Sequence, residues 1–135
     1  DTIDISYNDG LGAQSATRDV QATGATPASL TISDGATYNY GTLETAVTSD
    51  KTFTVNNTGG VTATGIGGSG LASPFSFKGG TFPGSGGSCS STLGASASCT
   101  MVVTFAPLST GVANDTIEIA YNDSVAAQSV TRDVT

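Results

Sequence analysis

Any chemistry in this chain has to be built from carboxylates, lysines, cysteines and a few rings, because its 135 residues include no histidine and no tryptophan. Without histidine the commonest general base and the commonest neutral metal ligand are missing. The two cysteines, Cys89 and Cys99, are too few for a thiolate zinc or iron-sulfur site. Their spacing is not CxxC and no basic neighbour lowers a thiol pKa, which argues against a redox-active pair. A disulfide brace and two buried free thiols remain as readings. Glycosidase chemistry needs two acids held across a cleft, one with a raised pKa, whereas Asp34, Glu44, Asp50 and Glu118 are expected on turns and outward strand positions. The only lysines, Lys51 and Lys78, fall outside the expected core, and an intramolecular isopeptide link requires a buried, neutral amine. The expectation is a protein that is not an enzyme.

Two sets of residues remain as candidate sites. Asp1, Asn8, Asp9, Asp115, Asn122 and Asp123 gather short oxygen ligands at hairpin tips and module ends, where calcium would stiffen a junction. Asn-Asp after Tyr is also an ordinary turn signal, with side chains bonding their own backbone. No EF-hand or nonapeptide calcium pattern is present. The second set is Phe75, Phe77 and Phe82 around the loop GGTFPGSGGS at 79–88. Rings on a glycine-rich loop can stack on a carbohydrate or pack on a protein partner. The pattern sends Phe75 and Phe77 inward and leaves Phe82 as the ring expected at the surface.

The elements that position these residues follow from composition. Gly, Ser and Thr make up 57 of the 135 residues, a mixture that favours a lean all-β domain with long polar loops over a helical fold. A formal charge of −7 and a pI near 4.1 exclude a phosphate-tracking surface, and with it nucleic acid as a partner. No apolar run is long enough for a membrane helix, and no basic region followed by an apolar stretch marks a retained export signal. Both ends fall inside patterned sequence, so the chain is expected to be a piece of something longer.

An internal repeat sets the frame. DTIDISYNDGLGAQSATRDV at 1–20 and DTIEIAYNDSVAAQSVTRDV at 115–134 share 14 of 20 positions at an offset of 114 residues. That offset is the size of one β-sandwich, longer than a solenoid repeat. Residues 23–135 are therefore expected to form one complete Ig-like module, and residues 1–22 the closing hairpin of the module before it. A hairpin without its sandwich is marginal in water. It is expected to stay loose, to pack on residues 24–114, or to add to another chain through Ile3, Ile5 and Tyr7, which match Ile117, Ile119 and Tyr121.

Period-two alternation marks the strands. It predicts Leu30 and Ile32 on an opening strand, Tyr38 and Tyr40 on a second short piece, and Phe53 and Val55 on a strand over 51–56. A weaker strand is predicted near 61–66, and Cys99, Met101, Val103 and Phe105 form a stripe over 98–105. Ile117, Ile119 and Tyr121 follow, and a last strand covers 128–134. Arg132 shares the parity of Val130 and Val134, which predicts either a bulge or an arginine stem crossing apolar surface to meet solvent or a carboxylate. The total is seven or eight strands in a two-sheet sandwich. A Cys89–Cys99 bridge would brace its thin core and would imply an oxidising compartment.

Several stretches together resemble a known family. LTISDGATYNYGTLETAVTSDKTFTVNNT at 30–58, CSSTLGASASCTMVVTFAP at 89–107 and STGVANDTIEIAY at 109–121 are similar to bacterial choice-of-anchor D and abnormal-spindle/hydin-type Ig-like repeats. The shared features are the LTIS opening, Tyr40 to Thr42, the NTG turn at Asn57 to Gly59, the cysteine pair with LGASASC, the TFAP strand end and Gly111. The resemblance implies a sandwich similar to major sperm protein domains, a Cys89–Cys99 disulfide, and turn positions at Gly59 and Gly111 where a Cβ would crowd the backbone. It also implies tandem repeats in long exported proteins, without enzymatic activity. The chain departs from the family pattern in its glycine-rich stretch at 65–87 and in the Arg132-Asp133 pair. The expected role is a structural spacer in a long, acidic, extracellular protein of the bacterial surface, with adjacent repeats as partners. The alternatives are an adhesin contact module using 70–88 and a fibre subunit assembling by strand exchange.

Overall fold

The computed structural model describes all 135 residues, Asp1–Thr135, and contains eleven strands and no helix. The strands are β1 (Thr2–Asn8), β2 (Ala13–Asp19), β3 (Leu30–Ile32), β4 (Thr37–Tyr38), β5 (Ser49–Asn57), β6 (Ala63–Ser69), β7 (Phe75–Phe77), β8 (Thr92–Leu93), β9 (Ser98–Phe105), β10 (Asp115–Asn122) and β11 (Ala127–Val134). They form three sheets: β1-β2 alone, β3-β5-β9-β7, and β4-β11-β10-β6-β8. Every pairing is antiparallel except the short parallel contact of β4 with β11.

The architecture is all-β and broadly Ig-like, but it is more than the expected sandwich of seven or eight strands. Nine strands follow residue 22, and the leading hairpin is a separate sheet. The surplus comes from β4 and β8, two residues each, which are too short to display an alternating pattern. The weak strand also sits later than expected, at Ala63–Ser69. Its ladder with β10 shifts register between Ala120 and Asn122, where Tyr121 stands opposite an extra residue.

The two larger sheets face each other through the side chains that alternation assigned inward. Phe53 lies opposite Met101 and Val55 opposite Cys99 in the β5-β9 ladder, and Phe53, Val55, Met101, Val103, Ile117 and Ile119 are fully buried between the sheets. Only 27 of the 135 residues are buried, so the ends of the sandwich matter as much as its middle. At one end Phe75 stacks on Phe105 at 4.8 Å, with Tyr40 tilted against both. The Tyr40 hydroxyl donates to the Val103 carbonyl at 3.0 Å, and burial raises its pKa well above that of an ordinary phenol.

At the other end Asn57 ties three loops together. Its amide nitrogen donates to the carbonyls of Val61, Leu93 and Gly94, and its Oδ1 accepts from the N–H groups of Ser29 and Gly59. Cys89 and Cys99 are joined by a disulfide beside this hub. Their ten-residue separation corresponds to about 2.7 kcal/mol in the loop-closure description. A Cβ on Gly59 would run into the Pro27 carbonyl, so the incoming segment lies flush on this turn only because the residue is glycine. Gly111 differs from the expectation of crowding: nothing lies near its missing side chain, and its φ of 127° is what favours glycine there.

Asn57→Ala would take their side-chain partner from the carbonyls of Val61 and Leu93 and from two N–H groups around a buried site, while the Gly94 carbonyl keeps its bond from Ala97 N. It is expected to lower unfolding free energy by about 3 kcal/mol, well beyond a simple truncation. Urea unfolding of the two proteins checks this, and a difference below about 1 kcal/mol would remove Asn57 as the hub.

Candidate functional site

The two copies of the repeated segment fold into the same hairpin. Thr2 faces Asp19, Ile3 faces Arg18 and Ile5 faces Ala16, and the second copy pairs Thr116 with Asp133, Ile117 with Arg132 and Ile119 with Val130. The turns agree atom by atom. Asp9 Oδ1 accepts from the N–H groups of Leu11 and Gly12, and Oδ2 accepts from Gln14 Nε2. Asp123 does the same with Val125, Ala126 and Gln128. Asn8 and Asn122 each accept from the N–H two residues on, and the Thr2 and Thr116 hydroxyls donate to Asp19 and Asp133 at 2.7 and 2.8 Å.

The six oxygen-bearing residues singled out for calcium thus divide between hairpin tips and hairpin bases. At the tips the carboxylates are engaged by their own turns. At the bases Asp1 and Asp115 accept from the N–H of the next residue, and Asp115 Oδ2 also accepts from Ala72 N at 2.7 Å. No group of three or more acidic, cysteine or histidine side chains comes together.

What separates the copies is burial. Ile117 and Ile119 are fully buried and Tyr121 is 9% exposed, while Ile3, Ile5 and Tyr7 are 51%, 61% and 52% exposed. Every hydrogen bond made by residues 1–20 stays within the hairpin.

The second copy also does work that hydrophobic patterning did not anticipate. Strand β3 is the edge of its sheet. Ser33 N donates to Thr54 and Thr58 N donates to Ser29, so the backbone groups of Leu30 and Ile32 turn away from β5. The Tyr121 hydroxyl accepts from Leu30 N at 3.3 Å, and Arg132 Nη2 donates to the Ile32 carbonyl. Of the two readings of Arg132, the arginine stem crossing the interior applies, since β10 and β11 pair without a bulge. Its tip meets a backbone carbonyl instead of a carboxylate, and its Nε is buried without a partner.

The other candidates are dispersed. Phe75 and Phe77 point inward. Phe82, expected at the surface, is half-buried, edge-on to Phe77 at 5.5 Å and seated over Gly68, where a Cβ would strike the ring. The loop holding it is bonded to β9 through Lys78 N to Val102 O, Val102 N to Pro83 O and Cys89 N to Thr100 O. Lys51 pairs with Asp34 at 3.0 Å and Lys78 with Asp50 at 2.7 Å, both at the surface. A cleft of about 690 Å³ contains Glu44 as its one acidic side chain beside Asn39, Thr42 and Val112. Tyr121 and Arg132 as caps, and Asn57 as hub, were not identified as such from the sequence. The one available signal was the wrong parity of Arg132.

No protein-family model matches the sequence, and no curated protein matches it. Solved structures do share the fold. The ASH/PapD-like domain of human CEP192 (PapD-like domain 7) aligns with a TM-score of 0.57 at 17% identity, over 87% of this chain and 88% of that one. A protein of unknown function from Porphyromonas gingivalis W83 aligns with a TM-score of 0.59 at 11% identity, over 99% of this chain and 65% of that one. The chain thus spans under two thirds of the bacterial protein's length, and at these identities the likeness is one of fold.

Two measurements follow from the site. In amide hydrogen exchange, residues 116–134 are expected to be protected to the level of global unfolding and residues 2–19 to exchange orders of magnitude faster; equal protection would mean that the first hairpin is packed in solution. The second is pH. Backbone N–H donors hold the carboxyls of Asp9 and Asp123 below the ordinary 3.8, as do Ser33 and Lys51 for Asp34, and Lys78 and Thr104 for Asp50. Because the unfolded chain takes up these protons first, the stabilisation of the sandwich by Asp34, Asp50 and Asp123 is complete above 3.8 and is lost as pH falls through the lower folded values, while Asp9 acts in the same sense on the first hairpin alone. Denaturant midpoints are expected to be flat from roughly pH 7 to 5 and to drop below about pH 4. A decline already present at pH 6 would contradict this.

Proposed function

We propose that the chain is a structural spacer from a tandem array, with residues 23–135 as one whole repeat and residues 1–22 as the closing hairpin of the repeat before it. The observation that carries this reading is where the chain enters and leaves the sandwich. The incoming segment is pinned at the β10-β11 tip, where Ala28 N donates to the Asp123 carbonyl and Gly60 N to that of Thr26. The outgoing residue Thr135 is bonded to Tyr38 and Tyr40 at the opposite end. Repeats joined in this way string end to end, and each keeps its own core while the junctions bend.

The disulfide supports an exported setting, since such bonds persist in oxidising compartments. The charge of −7 supports a role in which neighbouring fibres stay apart and soluble. Together with the resemblance to bacterial surface repeats, these features make the extracellular face of a bacterium the proposed location. Self-association through the first hairpin is the second reading, favoured by the exposure of Ile3, Ile5 and Tyr7.

Small-angle scattering, with light scattering for mass, tests both on the chain and on a version lengthened by another copy of residues 22–135, which preserves the 114-residue offset of the repeat. The spacer reading expects monomers whose maximum dimension grows by about 30 Å, the length of an eight-residue strand plus its turns. A side-by-side compact particle would refute it, and a dimer abolished by removing residues 1–22 would favour self-association.

A further inference from the structure

The first hairpin carries more than an apolar face. Offset by 114 residues, Tyr7 corresponds to Tyr121 and Arg18 to Arg132, the two side chains that cover the free edge of β3. The isoleucines alone would suit many hydrophobic surfaces. A phenol oxygen and a guanidinium set by one hairpin register demand something narrower: an edge strand that presents an N–H and, two residues further, a C=O in the same direction.

We infer that Tyr7 and Arg18 are specificity residues of a docking surface whose partner is the two-sheet scaffold of a second sandwich of this fold, one without a closing hairpin of its own. In that partner, Ile3, Ile5 and Tyr7 fill the space that Ile117, Ile119 and Tyr121 fill here. The Tyr7 hydroxyl accepts from the N–H equivalent to that of Leu30, and Arg18 donates to the carbonyl equivalent to that of Ile32. This deepens the reading of residues 1–22 as the closing hairpin of a preceding repeat, and rests on it.

The chain's own sandwich is not the partner. Its slot is filled by β10-β11. The connection is also too short. Thr26 is held at the tip end by Gly60, and the six Cα steps from Val20 to Thr26 reach about 22 Å at full extension. The base of the slot lies about 24 Å from that tip along an eight-residue strand, before any sideways distance is added. Occupying it would require unpinning Thr26 and Ala28.

The test keeps the full chain and places another copy of residues 23–114 ahead of Asp1, so that the hairpin follows a scaffold as Asp115 follows Asn114. With the added copy isotopically labelled, hydrogen exchange reads its edge strand separately. Residues 2–19 are expected to become as protected as 116–134. Tyr7→Phe and Arg18→Met, which keep the apolar bulk and remove the polar contact, are expected to speed exchange in the edge strand of the added copy about fivefold each. Tyr121→Phe and Arg132→Met should do the same in the original copy. If the hairpin gains protection but only the Tyr121 and Arg132 variants have an effect, the capping roles of Tyr7 and Arg18 are wrong while the closing-hairpin reading stands. If residues 2–19 still exchange as they do in the unextended chain, both are wrong.

Discussion

A two-stranded hairpin and a sheet with an open apolar face need each other, and that mutual requirement governs this molecule. Ile117, Ile119 and Tyr121 leave water only because β5 and β9 lie across from them, and Phe53, Val55 and Met101 are sealed only because the hairpin covers them. Full burial of three such side chains corresponds to about 5–8 kcal/mol as an upper figure. This is of the same order as the entire stability of an ordinary domain. The same sequence motif is therefore core at 115–134 and surface at 1–20, and the difference lies in what faces it.

The thinness of the core explains why polar side chains carry structural duties inside it. With 27 residues buried, the sheets have little apolar area to spare for their margins. The free edge of β3 is closed by a tyrosine hydroxyl and an arginine, the turn end by the five bonds of Asn57, and the Cys89 loop by a covalent bond. The hydrogen bonds among these replace water on backbone groups that would otherwise be buried unpaired, and the disulfide restrains its loop covalently. Asp34, near Arg132 at this edge, is held in its charged form by Ser33 and Lys51, with the field of Arg132 adding to the effect.

Much of this was legible in the sequence because alternation reports one-sided burial directly. The Cys99, Met101, Val103 and Phe105 stripe occupies β9 with the bounds that its pattern suggested, and the inward faces of β5 and β10 agree as well. Strands β4 and β8 carry no such signal because two residues make no pattern. Phe82 is the most exposed of the three rings, as the pattern suggests, but its covered half sits in a space that exists only where Gly68 and Phe77 come together across the fold, which the pattern does not show. Asn57 is part of a turn, as the NTG motif suggests, but two of its three carbonyl partners, Leu93 and Gly94, lie 36 and 37 residues further along the chain, and no local pattern announces them. Arg132 broke the period because its role is set by a strand 100 residues away.

The division of labour along the chain bears on how a string of such units would behave. Residues from Thr26 onward are fixed to the sandwich by Gly59, Gly60 and the Asp123 carbonyl, and residues up to Val20 are fixed within the hairpin by the reciprocal bonds of Asp1 and Val20. Between them lie Gln21, Ala22, Thr23, Gly24 and Ala25, all exposed and outside any strand. A connection of that length, without proline, is short enough to keep neighbouring units close and polar enough to bend. Compliance would then sit in these five residues, while each sandwich, with its edges capped and its ends tied, moves as one body.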